Sequence, residues 1–204
     1  MKNLTEIVVI IDKSGSMSPL KSKTIEGFNE FLFEQKKIKD KTIFSLILFS
    51  SPDNEEIIFD GVDINEVSEL TSDIYNTIGT TALYDCLGKT IKSVNKKIKK
   101  SENKPNKVLF VIITDGEENS SRIYTKNEIL KLIKKKEDKK NWSFLYLGAN
   151  QDSFKEGSKI GISKNRTMNF DFNDTGVLNA YSKISNYTST FRSSSVDDSK
   201  KIKI

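Results

Sequence analysis

The chain of 204 residues contains no histidine. That absence removes Ser-His-Asp and Cys-His catalytic machinery and every histidine-ligated zinc site, the HExxH type included. The single cysteine, Cys86, can neither close an internal disulfide nor build a Cys-rich zinc site. Any bound metal must therefore be held by oxygen, which points to magnesium, manganese or calcium. No stretch approaches the ~18 apolar residues of a membrane span. Glu6 and Asp12 bracket too short an apolar run for a secretory signal. The expectation is an intracellular, cytoplasmic protein with no membrane partner. There is no Gly-x-x-x-x-Gly-Lys and no Gly-x-Gly-x-x-Gly, so nucleotide binding has no support.

What is present suits a globular domain: 36% hydrophobic and 30% charged residues. The net charge of +5 comes largely from the lysines of 92–107 and 131–140. Both stretches have helical patterning and read as solvated faces. Aromatics are not interleaved with these lysines, which disfavours nucleic acid as a partner.

Continuous apolar runs at 6–12 ("EIVVIID"), 42–49, 107–114 and 142–147 read as strands covered on both faces, as in a parallel sheet. A shorter strand at 55–59 follows a Ser-Pro-Asp-Asn turn and is expected to pair antiparallel with 42–49. A last short strand is expected at 167–172. Helices are expected over 19–37, 82–99, 125–136, 153–159 and 175–191, with a short one at 64–70. Leu20, Ile25, Phe28, Phe31 and Leu32 form the apolar face of the first, and Thr125 with Glu128 suggests a capping box for the third. The alternation predicts an α/β fold: a doubly wound, Rossmann-like three-layer sandwich with a mostly parallel central sheet and one antiparallel strand. Residues 1–192 read as one domain and 193–204 as a polar, flexible tail.

The chemistry gathers at one sheet edge. The first strand runs into Asp12, Ser14 and Ser16; the strand at 107–114 runs into Asp115 of "ITDGEEN"; "GTTALYD" places Thr80 and Thr81 before the helix at 82–99. Crossover connections bring parallel strand ends to the same edge, where open sheets bind ligands. Gly15 is expected to turn with positive φ, so that both serines face one point. Oxygen donors of this kind suit a hard cation. An EF-hand reading of Asp12-Ser14-Ser16 fails, because its sixth position is Met17 and its twelfth Lys23.

Asp-x-Ser-x-Ser after a first strand, "TTALYD" before a helix and "ITDGEEN" after a later strand together resemble a von Willebrand factor type A domain. The resemblance covers about 7–191 and is nearest to small stand-alone bacterial and phage members. It implies a metal-ion-dependent adhesion site, in which Ser14, Ser16 and Thr81 bind a divalent cation through hydroxyls. Asp12 and Asp115 would act through water or hold the hydroxyls in place. Magnesium is the first choice, with manganese and calcium as alternatives. It further implies a non-enzymatic module whose cation takes an Asp or Glu from a protein partner, with no small-molecule substrate. Lys13, Met17, Thr80, Glu117, Asn119 and Asn150 are candidate rim contacts. Two other function classes compete with this one. A magnesium-dependent phosphate-processing enzyme would need a cationic clamp and a positioned nucleophile. A metal-independent nucleic-acid binder would use the lysine-rich helices.

Overall fold

The computed structural model describes residues 4–139, 141–149 and 152–204. Six strands form one sheet in the order β3-β2-β1-β4-β5-β6. They are β1 (Thr5–Asp12), β2 (Thr42–Phe49), β3 (Glu55–Asp63), β4 (Lys107–Thr114), β5 (Trp142–Ala149) and β6 (Thr167–Phe170). All neighbours pair parallel except β2 with β3, which is antiparallel as expected.

The helices are α1 (Lys21–Lys36), α2 (Leu83–Lys100), α3 (Lys126–Lys139), α4 (Ser153–Lys159), α5 (Asp174–Ser193) and α6 (Val196–Ser199). Every residue of β1, β4 and β5 is buried, so their unbroken apolar runs do reflect cover on both faces. Ile7, Val9 and Ile11 pack with Phe28 and Phe31 of α1 and Tyr181 and Phe191 of α5. Val8 and Ile10 pack on the other face with Leu87 and Ile91 of α2 and Ile133 of α3. Cys86 lies fully buried on that second face, and burial holds its thiol well above the ordinary range.

Four segments differ from expectation, the first being β3, expected to end at 59, which runs on to Asp63. Residues Gly15–Leu20 form a 3-10 turn, and α1 begins only at Lys21. Pro19 sits inside that turn, where its missing N–H costs no helical bond. Only Ile64–Glu66 of 64–70 is helical. Beyond it the Asn29 side chain pairs with both backbone groups of Leu70, at 2.8 and 3.0 Å, and offers the backbone an alternative to helix. The segment 193–204 carries α6; Ile202 and Ile204 pack on the core, and Ile204 N–H donates to the Asn165 carbonyl at 3.0 Å.

Two buried cations close the ends of the long helices. Lys107 Nζ donates to the carbonyls of Phe191 (2.6 Å), Arg192 (3.0 Å) and Ser194 (2.5 Å) at the end of α5. Arg192, fully buried, donates in turn to the carbonyls of Gln35 (2.5 Å), Ile38 (3.2 Å) and Asp40 (3.1 Å) at the end of α1. Each supplies donors and positive charge where a helix exposes carbonyls and the negative end of its dipole.

Glu6 is the reverse case, a buried acid in β1 with little compensation. Burial raises its carboxyl from 4.5 to about 7, opposed by Lys97 and reinforced by Asp60. Because the folded value lies above the unfolded one, its contribution to stability is present below about pH 4.5 and is lost as pH rises toward 7. Glu6→Gln should therefore stabilise the protein above pH 7 by about 3 kcal/mol and leave it unchanged at about pH 4. Urea titrations at the two pH values read this directly, and equal effects at both would refute it.

Candidate metal centre

β1 and β4 lie side by side in parallel register, with Ile11 opposite Ile113. The two strands therefore end together, and their next polar residues meet. The Asp12 carboxylate is held at both oxygens: Oδ1 accepts from Ser14 N–H at 2.7 Å and Oδ2 from the Thr114 hydroxyl at 2.6 Å. The Ser14 and Ser16 hydroxyl oxygens lie 3.1 Å apart, and Ser16 donates to Asp115 Oδ1 at 2.8 Å. One hydrogen-bonded cluster thus joins the first strand's loop to the fourth strand's end.

The third segment arrives through backbone contacts. Gly15 N–H donates to the Gly79 carbonyl at 3.0 Å, and Ile78 N–H to the Lys13 carbonyl at 2.8 Å. Gly79 has φ of 84°, a conformation that strongly favours glycine, and an added Cβ would lie 2.3 Å from Ser51 Oγ. Gly15, expected to carry the positive φ, does not; it opens the 3-10 turn, and Gly79 makes the bend across from it. The turn places Thr81 Oγ1 and Ser16 Oγ at 3.5 and 3.9 Å from the same point above Gly116. Thr81 Oγ1 has no hydrogen-bond partner among the described residues. Thr80 Oγ1 is engaged with Ser51 (3.2 Å) and Ser120 (2.9 Å) in the exposed wall.

The candidate rim is only partly as expected. Lys13 is buried, and its Nζ contacts Glu56 Oε1 at 2.5 Å and Asn54 Oδ1 at 3.3 Å, so its charge is spent on β3 and its loop. Met17 is buried in the core between the sheet, α1 and α5 and reaches no partner surface. Asn119 acts as a clamp: its side chain accepts from Thr81 N–H and its own N–H donates to the Thr81 carbonyl, both at 3.0 Å. Thr80 and Glu117 are exposed beside the cluster. Asn150 lies outside the described residues.

Sequence reasoning missed four supports. Thr114 is the end of an apolar run and carries no local sign of its bond to Asp12. Tyr75, fully buried, donates its hydroxyl to the Asp12 carbonyl at 2.5 Å. Asp85 reads as a helix-start charge, but it also accepts from the N–H groups of Arg122, Ile123 and Tyr124, each at 2.8 Å. Glu118 reads as a solvated loop residue; it accepts from Tyr84 N–H at the start of α2 and from Ser120 and Ser121. The last two pin the 115–124 loop over the helix.

The electrostatics favour a cation. Burial pushes the Asp12 carboxyl up to about 6, against the lowering effect of its bonds from Thr114 and Ser14. Burial likewise raises Asp115, opposed by the Ser16 bond. Lys13, the basic residue inside the motif, is committed elsewhere. Two carboxylates and three hydroxyls, all oxygen, fit a hard divalent ion. Among the described residues no group of three or more Asp, Glu or Cys could hold a metal on its own, so the hydroxyls are essential to any such site.

A model of the von Willebrand factor type A domain matches residues 6–183. The chain belongs to that family. Solved structures superpose over most of it. A von Willebrand factor type A protein from Catenulispora acidiphila matches with a TM-score of 0.60 at 14% identity, covering 90% of this chain and 42% of that one. Proximal thread matrix protein 1 from the mussel byssus, with a zinc-occupied MIDAS motif, gives 0.60 at 13%, covering 90% and 45%. The pilus adhesin SpaC of Lactobacillus rhamnosus GG, in an open conformation, gives 0.65 at 13%, covering 89% and 29%. At these identities the likeness establishes the type A fold, and this chain spans less than half the length of each. No curated protein matches it. No helix among the described residues is long and apolar enough to cross a membrane.

Proposed function

We propose that this type A domain is an intracellular, metal-dependent protein-binding module and not an enzyme. Ser14, Ser16 and Thr81 would hold a divalent cation, magnesium by preference, with Asp12 and Asp115 acting from outside through water or as anchors for the hydroxyls. The observation that carries this reading is that both Asp12 oxygens already accept protein donors while the Thr81 hydroxyl has no partner among the described residues. A bound dication would supply positive charge that neutral hydroxyls compensate poorly, open to a carboxylate from outside. The partner then offers Asp or Glu. A phosphate-processing enzyme is less well supported, because Lys13, the basic group within the motif, pairs with Glu56 instead of facing the opening.

The test uses two immobilised peptide pools with random flanks and a fixed central residue, Glu in one and Gln in the other. The domain should be retained by the Glu pool in magnesium, released by EDTA, and pass over the Gln pool. Equal retention on both pools, or retention in EDTA, would refute the proposal.

A further inference from the structure

We infer that Tyr75 is a positioning residue for the metal loop, setting the domain's cation affinity through the main chain of Asp12. The inference rests on the metal reading of the same site. The β1–β4 register ends at Ile11, so the Asp12 carbonyl lies past that ladder. It is at this carbonyl, where strand becomes loop, that the Tyr75 hydroxyl donates at 2.5 Å. The phenol comes from a segment 63 residues away in sequence. Its ring is fully buried in the core shared with α1 and α5.

Two more bonds from the same segment grip the following residues: Ile78 N–H to the Lys13 carbonyl at 2.8 Å, and the Gly79 carbonyl to Gly15 N–H at 3.0 Å. Asp12, Lys13 and Gly15 are thus each fixed by 75–79, with Ser14 between them and Ser16 directly after. The serine hydroxyls can serve one ion only if these backbone torsions are held. Tyr75 is the one side chain in that grip, and its anchor is the core, so it passes the rigidity of the core to the ligand loop. Removing an outer hydrogen bond that orients ligands generally weakens metal affinity by about 10–100-fold.

The experiment measures manganese and magnesium affinity by calorimetry for wild type, Tyr75→Phe, Tyr181→Phe and Asp12→Asn, with thermal unfolding of each in EDTA. Tyr181 is a control of the same type: a buried tyrosine of the same core whose hydroxyl has no partner among the described residues. Tyr75→Phe should raise Kd for both metals by about tenfold or more, while Tyr181→Phe leaves Kd unchanged. A purely structural tyrosine would lower the unfolding temperature in EDTA and leave Kd where it was, and that result would overturn the inference. Ile78→Pro, which deletes the middle bond from a residue 63% exposed, should shift Kd in the same direction. Unchanged Kd in both variants, with loss of binding in Asp12→Asn, sinks the inference and spares the metal site. Absence of metal binding in wild type sinks both.

Discussion

Asp12→Asn is expected to make the metal-free protein more stable and to abolish its response to metal. The carboxyl is raised from 3.8 to about 6 in the folded state, mainly by burial. A folded value above the unfolded one means the folded protein holds the proton more tightly. Its stability contribution is therefore complete below about pH 4 and is lost as pH rises to 6. Above that, ionised Asp12 costs the metal-free fold about 3 kcal/mol. Asparagine removes the charge and keeps the shape. Its Oδ1 can still accept from Ser14 N–H, and the Thr114 hydroxyl can turn to accept from its amide. In EDTA at about pH 8 the variant should unfold at higher temperature than wild type. In magnesium the order narrows or reverses, because wild type gains RT ln(1 + [L]/Kd), about 2.7 kcal/mol at a hundredfold excess over Kd, and the variant gains nothing. A variant less stable than wild type in EDTA would show that Asp12 is structural.

Arg192→Met should destabilise the protein by about 3–4 kcal/mol, with a lower urea midpoint and an unchanged m-value. Methionine fills much of the same volume, so the loss isolates the donors. The carbonyls of Gln35, Ile38 and Asp40 lose their guanidinium, and Gln35 Oε1, at 3.2 Å, loses it as well. Gln35 in turn donates to Ser185 and Ser189 of α5, so the change reaches both helices of that layer. Arg192→Lys retains charge but cannot fork, and should fall between the two. A methionine variant within 1 kcal/mol of wild type would mean water replaces the guanidinium without loss.

The sheet could be read from the sequence because its signal is local. "EIVVIID" and "KVLFVIIT" are buried on both faces at every position, which a continuous apolar run encodes directly. The clustering of Asp12, Ser14, Ser16 and Asp115 followed from topology, since parallel crossovers leave few alternatives for strand ends. What the sequence hid were side-chain bonds across long separations. Thr114 to Asp12 spans 102 residues and Tyr75 to Asp12 spans 63, and neither residue type announces such a role. Lys13 and Met17 depart from the expected rim for a related reason. Motif position puts them at the loop surface, yet the 3-10 turn rotates Met17 into the core and Glu56 of β3 draws Lys13 across the end of β2. Residues 193–204 look like a tail by composition, but Ile202 and Ile204 are enough to dock them.

Cys86 gives the molecule a built-in clock. Its thiol lies on the first turns of α2, five residues from Thr81, sealed from solvent and held protonated by burial. A thiol-alkylating reagent can reach it only when that end of the helix lifts from the sheet, and reaction needs the thiolate. The rate of its modification therefore counts openings of the very layer from which Thr81 is presented. Whatever stabilises the centre slows the clock, and no label has to be engineered to read it.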